Sequence, residues 1–317
     1  MKGVLKLKKI LFYASFVMIL IGMQAGRRNG NEYATVVNIT DIRTQVETYI
    51  ADHEALPHEP RLDPVWQFVP GLEGVEFDFA MSYQNMLSNG WFESSLMVGH
   101  RLPYTKATET FREHRIYRGH EASPYVGLLI NVAWGKEELV LMLDILDEQN
   151  VQASIFFEGK FANDNRELVL EVFDRGHIVG NHSYSHPADW LSLSYEGFKE
   201  EIVRTNDILA QIIGEEIVFF APPGGAFTDE TVRAAYDQSM YTILWSADTI
   251  DWRGEPANVL VDRVMRRITP GGLILTHPKP ETVIALPSII EQLRQEGYEF
   301  RRIDEIVSGE RIGYFEN

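Results

Sequence analysis

The sequence predicts an α/β fold: a distorted (β/α)7-type barrel over residues 123–310, preceded by a small α+β module. Three observations predict it. From Tyr125 onward, short apolar runs alternate with amphipathic helical segments, the pattern of parallel strands with helices outside. The first run, Val126 to Val132, is apolar nearly throughout, as a strand buried on both faces is. About seven such strands share roughly 185 residues, which is too compact for eight full βα units and suits a smaller or distorted barrel.

The chain begins differently. Lys2, Lys6, Lys8 and Lys9 precede an apolar run from Ile10 to Ile21 that extends to about Ala25. Residues 1–26 therefore read as the basic and apolar regions of an export signal. The run is short for a membrane span, which argues for a cleaved signal peptide. Gly22-Met23-Gln24-Ala25 is a poor small-x-small cleavage site, which keeps a signal-anchor open. In both cases the basic end stays inside and the rest is extracytoplasmic, secreted or membrane-anchored through its N-terminal segment.

Composition narrows the function classes. With 45% apolar and 24% charged residues, a sizeable core is affordable and wholesale disorder is excluded. The formal net charge of -17 repels phosphate backbones, so nucleic acid is not an expected partner. The absence of cysteine removes disulfides, thiolate metal sites and cysteine nucleophiles together.

Residues 27–122 form the expected small module. Arg27 to Asn31 looks like a linker. Residues 40–55 have helical spacing at Ile42, Val46 and Ile50. Pro70-Gly71 marks a turn, and Val75, Phe77 and Phe79 alternate with acids in strand fashion. His53, His58 and His100 are scattered and read as surface residues. The polar stretch 105–123, ending at Pro124, is the expected boundary.

The barrel elements then follow in order. A helix is expected over 136–149 (Leu139, Leu143, Leu146), a strand over 153–157 and a helix over 164–175 closed by Gly176. Ile178 and Val179 lead into a histidine-rich turn, and a long amphipathic helix over 195–213 ends at Gly214. Strand-like runs recur at 217–220, 241–246, 271–276 and 298–303. Residues 311–317 are a tail.

Chemistry in such folds gathers at the carboxyl ends of the strands. There the sequence places Asn131 to Gly135, Glu158-Gly159, the turn Gly180 to Pro187, Ala221 to Phe227, Ala247 to Trp252, and Thr276-His277-Pro278. His182 and His186 stand four residues apart. Each offers a neutral imidazole nitrogen to a divalent metal, and on one face of a helical turn both reach one ion.

This set resembles the polysaccharide deacetylase family, the NodB-homology domain of carbohydrate esterase family 4. The resemblance covers about 124–308 and is carried by H-S-Y-S-H, D-T-I-D-W and L-I-L-T-H in that order. It implies a distorted barrel, removal of acetyl groups from glycans such as peptidoglycan, and a bound divalent metal such as zinc. By position, His182 and His186 match the histidine metal ligands. His277 matches the catalytic acid and Asp251 its tether. Trp252 and Leu275 match the acetyl pocket, and Pro223 and Trp134 fall among the substrate-binding positions. A metal polarises a carbonyl and activates water, and a departing amine takes a proton from a carboxylate-oriented histidine.

The same alignment shows departures. Matching Leu129-Ile130 and Gly135 puts Ala133 at the base and Trp134 at the metal-ligating aspartate, where the family has T-F-D-D-G. Ala221 stands at the arginine that tethers the base. The pattern N-V-A-W-G after a membrane-directed start looks like the sporulation-associated membrane deacetylase-like subgroup. Two readings follow. In one, the protein is a non-catalytic descendant that binds glycan or a protein partner through the same groove, with Trp134 stacking on a sugar or filling space. In the other, it is an active deacetylase with a substitute carboxylate, Glu158 or Asp189.

Overall fold

The computed structural model describes residues 39–311. The segment 1–26 expected to direct export, the linker after it and residues 312–317 lie outside that range.

The first part of the chain forms α1 (Ile39–His53), β1 (Arg61–Asp63), β2 (Gln67–Val69), β3 (Gly74–Phe77), α2 (Phe79–Asn89), β4 (Gly99–Leu102) and β5 (Arg115–Ile116). Next come β6 (Tyr125–Val132), α3 (Lys136–Glu148), β7 (Ser154–Phe157), α4 (Gly159–Asp164), α5 (Arg166–Asp174), β8 (Ile178–Asn181) and α6 (Tyr195–Ile213). The chain continues through β9 (Phe219–Phe220), α7 (Asp229–Tyr236), β10 (Tyr241–Ile243), β11 (Ala247–Asp248) and α8 (Ala257–Arg267). It ends with β12 (Leu273–Thr276), α9 (Pro280–Gln295), β13 (Glu299–Phe300) and α10 (Ile303–Ser308).

The main sheet runs β1-β2-β5-β10-β9-β8-β7-β6-β12-β11, with β13 beside β6. Every pairing from β5 to β11 along this path is parallel. Strand β6 is central and buried at every residue, which explains its continuous apolar run. Leu128, Ile130 and Val132 pack into the outer core under the helices. Leu129 packs inward with Phe156, Phe219, Ala221, Tyr241 and Leu273. Each such side chain contributes about 1.5–3 kcal/mol on burial. Helix α6 shows how local signals fix an element. Ser194 caps its start, Gly214 in the left-handed region ends it, and Phe198, Ile202 and Leu209 line its buried face.

The sheet pairing crosses the expected boundary at 122–123. Residues 115–119 span between the two arms of the curled sheet. Leu244 N donates to Ile116 O at 2.8 Å, Gly119 N donates to Gly271 O at 2.7 Å, and Arg118 bridges Gly272. Only part of the expected module has its own core, built from Ile42, Val46, Val75, Phe77, Met86 and Met97. Two expected elements differ in form. The helix expected over 164–175 is α5, Arg166–Asp174, and a further helix not expected from the sequence, α4, precedes it; Asn165 at φ -130° separates the two, and its amide bonds Phe161 O at 2.9 Å. The strand expected to reach Phe79 ends at Phe77, because Asp78 caps α2 through Met81 N at 2.9 Å.

Candidate functional site

The histidine turn after β8 is not a helical turn. Ser183 and His186 both lie in the left-handed region, at φ 63° and 45°. Buried and partly buried side chains impose this shape. Asn181 accepts from Ser183 N at 2.8 Å and donates to Ile202 O at 2.8 Å and to Asn206 at 2.7 Å. Glu201 on α6 accepts from Tyr184 N at 2.9 Å, from Ser185 N at 2.8 Å and from Ser185 Oγ at 2.8 Å. Ser183 Oγ accepts from His186 N at 3.1 Å. The turn is thus wrapped around one carboxylate, and the His182 and His186 rings still meet, with centroids 5.0 Å apart.

His182 is buried, and its Nδ1 lies 2.7 Å from the carbonyl of Ala221. A carbonyl only accepts, so Nδ1 carries the proton and Nε2 keeps a lone pair. Burial, with a smaller push from His186 and His277 and against the Ala221 contact, lowers its pKa to about 3. His186 is lowered as well, mainly by burial. Both rings are neutral near pH 7, the state that donates to a metal or accepts a hydrogen bond.

Across the barrel mouth, His277 meets Asp251. The ring Nδ1 lies 2.7 Å from Oδ1, and the His277 backbone N–H donates to Oδ2 at 2.6 Å. Thr282 Oγ1 donates to the same Oδ2 at 2.8 Å. Burial pushes the Asp251 pKa up, but the bonds and charge of His277 together with Thr282 outweigh it and leave the carboxyl lowered. Ile250, a β-branched residue, is held at φ 55° immediately before Asp251. That conformation costs about 1–3 kcal/mol. It persists because Asp248 Oδ1 accepts from Ile250 N at 2.7 Å and Arg263 grips both Thr249 O and Glu255.

Trp134 lies nearly parallel to the His277 ring, with centroids 5.9 Å apart and planes at 10°. It remains 43% exposed, so it walls the mouth beside His277 with a substantial surface open to solvent. Gly135 follows at φ 78°, and a Cβ there would strike Pro278 O. The two loops therefore close on each other. Trp252 is 56% exposed at the rim, whereas Leu275 is buried on β12. Pro223 lines an open groove of about 440 Å³ with His186, Asp189, Trp190 and Leu191.

Comparison with known proteins agrees with this architecture. Residues 120–243 match the family model described as polysaccharide deacetylase. The protein YlxY of Bacillus subtilis is 35% identical over 261 residues, covering 82% of each chain. The crystal structure of a family 4 carbohydrate esterase pseudoenzyme from Bacillus anthracis superposes with a TM-score of 0.79 at 35% identity, covering 86% of this chain and 96% of that one. A mutant of that pseudoenzyme is described as having restored enzymatic activity. The chain belongs to the polysaccharide deacetylase family. A peptidoglycan-N-acetylglucosamine deacetylase of Bacillus cereus is 33% identical over 164 residues, 50% of this chain and 59% of its own length. The match to YlxY is longer than the family domain, so it takes in part of the region before residue 123 as well.

The residues here do not fit a three-ligand family metal site. His182 Nε2 and His186 offer two donors. Among the described residues, no group of three His, Cys, Asp or Glu side chains is placed to hold an ion. Glu158 caps α4 through Phe161 N at 3.2 Å. Its pKa is raised, chiefly by burial. Asp189 is exposed and opens a short 3-10 turn over Trp190–Ser192. Several residues that build the site carry no motif signal. Glu201, Thr282 and Arg263 act from helices distant in sequence, and the contribution of Ala221 is a backbone carbonyl that any residue supplies. Asn131 is the one with a legible cue, a polar residue ending an apolar strand. It is buried, and its Oδ1 has no hydrogen-bond partner in the protein.

Proposed function

We propose that this chain is an exported, cell-wall glycan-binding protein built on a deacetylase scaffold, hydrolysing N-acetylated glycans slowly or not at all. The observation that carries the reading is the absent third donor. No carboxylate among the described residues joins His182 and His186, and Ala133 and Trp134 occupy the positions where the family motif has its two aspartates. Without those aspartates, the carboxylate that would take a proton from an attacking water in the family motif is missing. The competing reading needs Glu158 or Asp189 as a substitute. Glu158 is committed to capping a helix, and Asp189 is exposed.

What remains is suited to recognition. The buried Asp251 fixes the His277 ring in one orientation, and Trp134 presents indole surface beside it. Aromatic surface next to oriented polar groups is how pockets hold sugar rings. Peptidoglycan is the polymer named for the Bacillus cereus relative, and it is the glycan proposed here. The basic and apolar segment 1–26 supports export and membrane attachment, and the N-V-A-W-G pattern supports a role in sporulation.

A zinc or cobalt titration tests the reading, with His182→Ala as control and acetate release measured on N-acetylated glycan. Weak or absent metal binding and no acetate release are expected. Stoichiometric binding at micromolar metal, lost in the variant and accompanied by acetate release, would overturn it.

A further inference from the structure

The N-terminal module carries an exposed face without charge. From Phe79 to Phe92 the chain has no Asp, Glu, Lys or Arg. The run covers α2, whose Ser82 and Met86 are buried. Its other side is open: Ala80, Met81, Gln84, Asn85 and Ser88 are exposed, and Trp91 follows the Gly90 cap. Met81 is 55% exposed and Trp91 61%. The uncharged run through β6 is buried at every strand residue, whereas this one faces out of a chain with a net charge of -17. Most bordering charges are engaged. Asp78 caps α2 through Met81 N, Glu93 accepts from Ser95 Oγ, Glu54 accepts from Phe77 N, and Arg43 pairs with Glu47. Glu76 points from the opposite face of β3, since Val75 and Phe77 pack into the core with the helices. Asp41 and Asp52 are exposed on α1.

This face lies where the chain enters the fold. Arg43, one turn into α1, sits over the Phe79 ring at 5.5 Å, and Tyr49 meets Phe92 at 5.7 Å. Helices α1 and α2 therefore run side by side in the same direction, with Ile39 at the Met81 end. Residues 27–38 separate Ile39 from the basic and apolar segment 1–26, and a chain of that length spans at most about 45 Å. An uncleaved segment 1–26 thus keeps both helices within that reach of a bilayer. We propose that α2 is the face on which the module rests against the membrane, with Met81 and Trp91 set into the lipid interface. The inference rests on the export and attachment reading above and adds the surface that touches lipid. The composition of the face suits that place. Tryptophan favours the headgroup level. Anionic lipids repel an acidic surface, and a face without charge meets no such repulsion. The 11 residues of α2 rise about 16 Å, too little to cross a bilayer, so the helix lies in the plane of its surface.

The chain has no cysteine, so one introduced thiol directs a label to one site. Met81→Cys, Trp91→Cys and, as a reference on the barrel helix α5, Leu170→Cys are labelled with a polarity-sensitive fluorophore. Each full chain is reconstituted with vesicles of phosphatidylcholine and phosphatidylglycerol, with and without bromine on the acyl chains. Labels at 81 and 91 lose about half their emission to the brominated lipid, as groups set roughly 5–10 Å into the interface do, and the label at 170 keeps its own. The loss persists as salt is raised, because apolar contact is not screened. Without any label, brominated lipid quenches less of the tryptophan emission in Trp91→Phe than in the parent. Vesicle-bound chain whose labels at 81 and 91 respond no more than the label at 170 overturns the surface assignment and leaves attachment standing. A blue shift at 81 and 91 without quenching by brominated lipid gives the face to a second copy or another protein, and overturns the assignment too. If the chain does not float with the vesicles, the attachment reading fails, and this inference with it.

Discussion

The buried His182 makes stability depend on pH, and the size of the effect follows from its surroundings. In the unfolded chain the ring titrates near 6.5, and in the fold near 3. Between those values the unfolded state binds more protons than the native state, so stability falls as pH falls. Each unit below 6.5 costs about 1.4 kcal/mol. Moving from about pH 7.5 to about pH 5 crosses roughly 1.5 units of that window, a loss of about 2 kcal/mol from this residue. His120 and His177 are also depressed, each to about 4 by burial, so the wild-type curve alone sums several groups. The variant His182→Gln isolates one. Glutamine keeps a donor for Ala221 O and does not titrate. Urea unfolding of metal-free wild type and variant at both pH values yields the difference directly. The wild type should lose about 2 kcal/mol more than the variant, close to 4–8 °C in Tm. Parallel losses would refute the assignment of a neutral, carbonyl-bound ring at His182.

Other expectations concern the rest of the mouth. Asp251→Asn leaves a buried amide donor facing the three donors that now point at the carboxylate; it should cost about 3–5 kcal/mol, read by chemical denaturation. Gly135→Ala forces a side chain into Pro278 O at positive φ and should cost about 2 kcal/mol or more, read as a lowered Tm. Glu201→Gln weakens three charge-assisted bonds to the histidine turn. It should raise amide hydrogen exchange at Tyr184 and Ser185 while leaving exchange in β6 unchanged. Changing Ala133 and Trp134 together to aspartate should create zinc binding detectable by titration, since a third ligand then faces the two histidines. Failure of the double variant to bind metal, with its fold intact by circular dichroism, would argue against the alignment of that loop.

Much of the barrel is written in local signals. The apolar run of β6 and the Ser194 and Gly214 ends of α6 follow from burial and capping, which act within a few residues. The β5 strand is not legible, because two residues in a polar stretch become a strand only when β10 and β2 are already in place to accept them. The same divide separates the site residues. His182, His186, His277 and Asp251 can be matched to motifs because their side chains carry the spacing. Glu201, Arg263 and the strained Ile250 cannot, because their work is to hold a neighbour's backbone, and many residue types sit comfortably at such positions. The histidine turn shows the cost of reasoning from spacing alone. An i, i+4 pair suggests a helix, yet here the rings meet because two residues adopt left-handed conformations around the partly buried Glu201 carboxylate.

The pattern of what the mouth keeps and what it lacks follows from electrostatics. Asp251, His277 and Thr282 form a satisfied set, with both oxygens of a buried carboxylate hydrogen-bonded, and removing one member leaves the others exposed to an uncompensated charge. Such a set persists for stability whether or not it donates a proton to a substrate. A base and its arginine tether form the opposite kind of set. Each is costly in a buried mouth without the other, so on the proposed reading they leave together, and Ala133 and Ala221 are the consistent pair of replacements. His182 belongs to neither set. Its proton is committed to a backbone carbonyl that survives the change at residue 221, so the ring stays in place, neutral and with Nε2 available, whatever occupies the mouth. On the proposed reading, such a scaffold retains the groove and the orientation of its polar groups without the chemistry, which is what a binding protein requires.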